Sequence, residues 1–416
     1  MVSDSVLNII KANAREDELV KLCSNLVQID SQNPDGDTRQ MCKFIQAYLE
    51  EKGLPSQIIE PQPGKANLIA SCNGSKPGRT LVLNGHLDTF PLVNGEKWIR
   101  NPFSGEIANG NIYGLGSVDM KAGDACAIHA FHLFSQLREK WEGQLYLALV
   151  ADEETGSTWG AEYLLDNYPE LQGDAVLIGE PTSPAMVRFS EKGQIWLRIT
   201  TSGKSAHGAQ THRGVNAILK MNRIIGELME LEDLKVPMPP EIKTMLLNGK
   251  DIRDEFKGAG ATRVVTSVTV NPGVISGGTK INLVANRCTL EVDIRLPIGM
   301  STERIMERVS QILSNHPDTT WEVLQKREPN MTDMNDPIVQ AVVSGSEQWV
   351  GVKPILNCGI GYTDARVFRK HGVSAAVYGP TPHNMGCEDE YLIIDDLLTV
   401  FYTHALAIAD FLELAA

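Results

Sequence analysis

What this chain lacks narrows it first. None of its seven cysteines falls in a CxxC pair. An odd count at irregular spacing excludes a disulfide frame and reads as reduced thiols of a cytosolic protein. No apolar run is long enough to cross a bilayer. Basic charge is short as well: 38 Lys and Arg stand against 52 Asp and Glu, a formal net charge of −14. Nucleic acid or an anionic membrane would call for a basic patch, so neither is an expected partner. The segment 1–30 carries acidic and amide residues among its apolar ones, without a basic start and an apolar core. It reads as an amphipathic helix rather than a signal peptide, and the cytoplasm is the expected compartment.

What is there is long enough for two cores. A chain of 416 residues exceeds one ordinary domain. From residue 67 to 178, strand-like and helix-like segments alternate, with strands expected at 79–84, 144–150 and 175–178 and helices at 124–137 and 159–167. That alternation predicts an α/β catalytic domain with a mostly parallel sheet and flanking helices. After Pro184 the pattern changes. Residues 195–200 alternate with period two, 263–270 read as extended, and in 288–296 Leu290, Val292, Ile294 and Leu296 fall on one side. Half-buried antiparallel strands look like this. With helices expected at 214–231 and 301–313, and loops at 236–241 and 258–260, the block 185–328 reads as an inserted α+β domain. Residues 1–184 and 329–416 form the other.

The chemistry concentrates in short glycine-bounded motifs. His86 and Asp88 sit in NGHLD, Asp119 in GSVDMK, Glu153 and Glu154 in ADEETG, and Glu180 in GEPT. Those holding His86, Asp88, Glu153, Glu154 and Glu180 directly follow apolar runs that read as buried strands. Reactive groups of parallel sheets collect at such carboxyl ends. One imidazole with several carboxylates is the donor set of a hydrolytic zinc centre, with a carboxylate left over to handle protons. His129 and His132, an i, i+3 pair, face no partner motif and read as ordinary helix residues, as do His212, His316, His371 and His404 on helix or surface.

The order and spacing of these motifs resemble the M20 family of metallopeptidases and amidohydrolases, which includes acetylornithine deacetylase and succinyl-diaminopimelate desuccinylase. The similarity runs over nearly the whole chain: GHLDTFP at 85–91, GLGSVDMKAG at 114–123, ADEETGS at 151–157, GEPT at 179–182, SAHGA at 205–209, GGTKINLVAN at 277–286 and DIRLP at 293–297. The resemblance implies two zinc ions per subunit, with Co²⁺ or Mn²⁺ able to substitute. His86, Asp119 and Glu180 would hold one metal. Asp119 would bridge to a second held by Glu154, and Asp88 would orient the imidazole. It implies Glu153 as general base and a cis peptide at Asp119-Met120. His207 would donate to the oxyanion of the partner subunit in a homodimer whose inserted domain acts as lid. Arg295, Asn282, Gly361 and Thr363 would face the substrate.

One motif departs from the family pattern. Aligning on Asp389-Glu390 puts Gly386 where the last histidine ligand belongs, and His383 lies three residues upstream. His383 is the expected ligand of the second metal. Cys387, as a soft ligand, or a single-metal centre are the alternatives. The expected function is hydrolysis of an amide bond in a small N-acyl amino acid, a deacylase. A C-terminal exopeptidase or dipeptidase, a deaminase or carbamoyl hydrolase, and a metal-free binding homologue are the other readings.

Overall fold

The computed structural model describes residues 1–92 and 98–416. The chain divides into two compact units. Unit 1 comprises 1–189, 332–357 and 362–416, and unit 2 comprises 190–331 and 358–361.

Unit 1 is built on four parallel strands, in the order Gln144–Val150, Thr80–His86, Ala175–Ile178 and Ser374–Val377. Antiparallel strands extend one side: Lys65–Asn73 beside Gln144–Val150, then Ser56–Gln62 outside it. The central strands are apolar at nearly every position because both faces are covered. Val82, Val150, Val176 and Val377 meet Leu164, Leu165 and Phe368 on one face. The helix Ala122–Gln136 is buried along almost its whole length, as expected for a helix apolar all round. The mixed sheet with its flanking helices is the α/β architecture expected from the alternation.

At its N-terminus the structure corrects the single amphipathic helix. Two helices, Asp4–Asn13 and Glu16–Val27, are separated by Arg15 in the left-handed region at φ 47°. Among the described residues no helix is long and apolar enough to cross a membrane. His129 and His132 are buried, and the His129 Nε2 is bonded to the Ala14 carbonyl. His404 is also buried, with Nε2 2.8 Å from the Tyr378 carbonyl. All are helix residues with structural partners.

Unit 2 carries an antiparallel sheet ordered Thr269–Gly277, Arg287–Leu296, Gly193–Ser202 and Thr319–Arg327. Ile294 pairs with Ile195, Val292 with Leu197 and Leu290 with Ile199. This apolar side packs on the helices Ala217–Met229 and Thr302–Ser314. The expected extended run 263–270 is half wrong. Ala261–Thr266 is a helix, and the strand begins only at Thr269. Arg253 decides this locally: its buried guanidinium reaches the Leu246 carbonyl and Thr262 Oγ1, tying three short helices together. Tertiary hydrogen bonding overrides β-propensity there.

One close approach positions the site. A Cβ at Gly123 would stand 2.4 Å from the Gly179 carbonyl oxygen, and one at Gly179 would stand 2.4 Å from the Gly123 Cα. The first turn of the Ala122–Gln136 helix thus lies directly against the residue that precedes Glu180. Gly123→Ala is expected to destabilise the protein by about 1–3 kcal/mol through overpacking, read as a lower Tm. An unchanged Tm would show that this backbone contact is not tight.

Candidate metal centre

His86 ends its strand with the ring fixed on both sides. Nδ1 lies 2.9 Å from the Asp88 main-chain carbonyl, so it carries the proton, and Nε2 is left as the lone-pair nitrogen. Nε2 stands 3.1 Å from Asp119 Oδ1 and 3.4 Å from Glu180 Oε1. The Asp88 carboxylate, expected on the imidazole, is 3.6 Å away, beyond hydrogen-bond range. It accepts instead from Asn33 Nδ2 at 2.8 Å and from the Glu153 N–H at 3.1 Å. Asp88 therefore links the His86 strand end to the glutamate turn.

Two donor groups share His86. The ligand atoms of His86, Asp119 and Glu180 lie within 4.8 Å of one another, and so do those of His86, Glu153 and Glu154. Asp119 lies in a loop where the Asp119-Met120 peptide is cis and the Met120 sulfur accepts from the His86 N–H at 3.2 Å. Glu390 pins this loop from the far end of the chain: its Oε1 accepts from the Val118 N–H at 2.9 Å. Glu153 and Glu154 begin a short 3-10 turn directly after the Gln144–Val150 strand. Asp152 closes that turn, its carboxylate accepting from the Trp159 and Gly160 N–H groups at 3.0 and 2.8 Å.

The electrostatics show what the centre needs. Burial, then the Glu180 charge, raises the Glu153 carboxyl far above its usual range. Burial, then Asp119, pushes Glu154 up to about 9 and raises Glu180 too. Burial works to lower the His86 imidazole, but Asp119 and Glu180 outweigh it and raise it well above normal. Glu153 Oε1 and Glu154 Oε1 are buried with no hydrogen-bond partner among the described residues. Oxygen donors crowded around one imidazole nitrogen suit divalent cations, whose charge would take the place of the ring proton.

The remaining expected residues are placed as follows. His383 lies in neither donor group. Its ring stacks on Tyr391 with centroids 4.7 Å apart, and its Nε2 is buried without a partner among the described residues. Cys387 is exposed, while Gly386, at φ 67°, donates its N–H to Glu390 Oε2. His207 and Asn282 sit together in unit 2, since the Gly208 N–H donates to the Asn282 carbonyl at 2.7 Å. His207 Nδ1 accepts from the Ala209 N–H at 3.1 Å, so its exposed Nε2 carries the proton. Arg295 pairs with Asp293 at 2.9 Å and lines a cavity of about 310 Å³ with Lys192, Val264, Thr269, Ile360 and Gly361. Thr363, in unit 1, is buried with Oγ1 accepting from the Ala365 N–H. Asn33, Asp152 and Glu390, which shape the centre through hydrogen bonds, were not singled out as site residues from sequence. They carry no metal-binding pattern; only proximity in the fold reveals them.

A buried imidazole at a strand end, ringed by carboxylates from neighbouring strand ends and a loop, is a candidate metal centre. The sequence model for "Peptidase family M20/M25/M40" matches residues 82–410, and the chain belongs to that family. It is thus a metal-dependent hydrolase acting on C–N bonds. A Staphylococcus epidermidis protein described as "Probable succinyl-diaminopimelate desuccinylase" is 23% identical, over 92% of this chain and 94% of that protein. The fold is similar to an M20 family metallo-carboxypeptidase from Sulfolobus solfataricus, with TM-score 0.79 and 18% identity over 96% of this chain and 100% of that one. It is also similar to a tripeptidase from Staphylococcus aureus, with TM-score 0.73 and 20% identity over 95% and 98% of the two chains.

The raised carboxyls give a sign for stability. Between their ordinary range and the value near 9 for Glu154, the folded metal-free protein holds protons that the unfolded chain has released. These groups therefore lower stability as pH rises through that window. Chelator-treated protein is expected to gain more in Tm from added Zn²⁺ at pH 8.5 than at pH 5.5. An equal gain at both would separate these carboxylates from metal binding.

Proposed function

We propose that the protein removes the acyl group from a small N-acyl amino acid by hydrolysing its amide bond. The single observation that carries this is the pair of donor groups on His86 with the Glu153 turn beside them. In this reading His86, Asp119 and Glu180 would hold one zinc ion, and Asp119, Glu154 and His383 would hold a second. Such ions lower the pKa of water toward neutrality and polarise a carbonyl oxygen. Glu153 takes the proton from the attacking water and hands it to the leaving amine nitrogen, for which a raised carboxyl is suited. Asp88 holds the Glu153 backbone in place through the 3.1 Å hydrogen bond from its N–H. His207, with its proton on the outward Nε2, donates to the oxyanion. Arg295, Asn282, Gly361 and Thr363 bind the substrate, with Arg295 suited to its carboxylate.

Peptide hydrolysis from the carboxyl end is the second reading. It uses the same centre and the same Arg295, and the two differ only in what occupies the acyl side. A metal-free binding role has less support, since Glu153 and Glu154 each keep a buried oxygen without a partner. The seven free thiols, with Cys387 exposed, support work in a reducing cytoplasm.

Self-association is part of the proposal, with His207 serving the partner subunit. The outer strand Thr269–Gly277 is exposed from Asn271 onward, with Val274 58% and Ile275 53% accessible. An apolar edge strand of this kind favours pairing with a second chain.

Turnover of N-acetyl, N-succinyl and N-formyl amino acids and of dipeptides, with added Zn²⁺, Co²⁺ or Mn²⁺, tests the substrate class. Glu153→Ala should keep its metals and fold but lose at least about 10²-fold in kcat; activity above a tenth of wild type would remove Glu153 from the role of base. Ile275→Glu should turn a homodimer into an inactive monomer by light scattering. A fully active monomer would contradict a role for His207 across subunits.

A further inference from the structure

The glutamate turn has an awkward backbone. Asp152, Gly156 and Ser157 all have positive φ, at 55°, 126° and 65°. For Asp152 and Ser157 this left-handed geometry is disfavoured and persists only where surrounding contacts hold it. Asp152 secures its own end through the Trp159 and Gly160 N–H groups. The other end is secured from a segment 207 residues away in sequence. Ser157 Oγ donates to Asp364 Oδ1 at 2.6 Å, and both side chains are buried. Arg366, two residues on, donates from the same side to the Gly156 carbonyl at 2.8 Å and to Ser157 Oγ at 3.2 Å. Its guanidinium lies over the Tyr362 ring, 5.0 Å from the centroid, and 3.5 Å from Glu162. Asp364 and Arg366 thus grip two consecutive residues of the turn, within four positions of Glu153.

We propose that Asp364, acting through Ser157 and supported by Arg366, is a positioning residue that sets where the Glu153 and Glu154 carboxylates point. This deepens the function proposed above and rests on it. Asp364 is only 1% exposed, and it acts through the turn rather than on substrate. At 2.6 Å between two buried side chains, its hydrogen bond is a firm anchor for the turn. A general base displaced by about 1 Å loses on the order of 10²-fold in rate, so a loosened turn is felt in kcat before it is felt in binding.

The experiment compares Ser157→Ala, Asp364→Ala, Asp364→Asn and the Ser157→Ala/Asp364→Ala double variant in the zinc-loaded protein. Its substrate is the one turned over fastest in the screen above, and Glu153→Ala is the control. Ser157→Ala and Asp364→Ala should each lower kcat at least about tenfold with KM within about threefold, a loss confined to the transition state. The double variant should be no worse than Asp364→Ala alone, because both remove one interaction. Asp364→Asn keeps an oxygen to accept from Ser157 and should restore most of kcat. Wild-type kcat in Ser157→Ala, additive losses in the double variant, or no recovery in Asp364→Asn would each overturn the proposal. Lower Tm with kcat unchanged would also overturn it, by assigning the pair to folding alone; if Asp364→Ala fails to fold, Ser157→Ala and Asp364→Asn decide. An active Glu153→Ala variant brings down the proposed function and this inference together. An inactive one beside a fully active Ser157→Ala brings down only the inference.

Discussion

Carboxylates packed out of water around one imidazole form the constraint on which the rest of this structure turns. His86, Glu153 and Glu180 follow three adjacent parallel strands, and Asp119 is folded in from a loop against the same ring nitrogen. Burial and the neighbouring negative charges hold the Glu153, Glu154 and Glu180 carboxyls above their usual range. A fold serving stability alone would replace them by apolar side chains of similar volume. Their presence fits a candidate cation site, where bound ions would supply the positive charge that the surrounding residues lack.

The scaffold meets this constraint by tying the donor loops to distant parts of unit 1. Glu390, near the C-terminus, holds the Asp119 loop by the Val118 N–H. Asn33, near the N-terminus, holds Asp88, which in turn holds the Glu153 backbone. The Gly123 and Gly179 backbones touch so that Glu180 emerges beside His86 rather than a side chain's width away. Each loop alone is short and irregular. Together they give a donor geometry set by rigid strands rather than by flexible loops, as metal centres require.

Much of this was legible in the sequence, for identifiable reasons. The buried parallel strands announce themselves as apolar runs because both faces are covered. The alternation in 288–296 marks its strand because only one side is: Leu290, Val292, Ile294 and Leu296 are buried while Glu291 and Asp293 are not fully so. The first donors were legible because His86, Glu153 and Glu180 follow such runs directly. Other features were not. The three short helices between Pro240 and Thr266 depend on the buried Arg253, whose partners lie beyond any local pattern. The expected bond between the Asp88 carboxylate and His86 failed because a main-chain carbonyl was nearer, and spacing along a strand does not separate the two. His383 was chosen by its distance from Glu390 in sequence. Its ring stacks on Tyr391, and a loop with prolines and glycine gives no period from which to foresee that contact.

We propose that these carboxylates and His86 enclose two metal ions. Diffraction from zinc-loaded crystals on both sides of the zinc absorption edge tests it most directly. Two anomalous peaks are expected, one among His86, Asp119 and Glu180 and one between Asp119 and Glu154. An anomalous map with no peak beside His86, from crystals that demonstrably contain zinc, would contradict it.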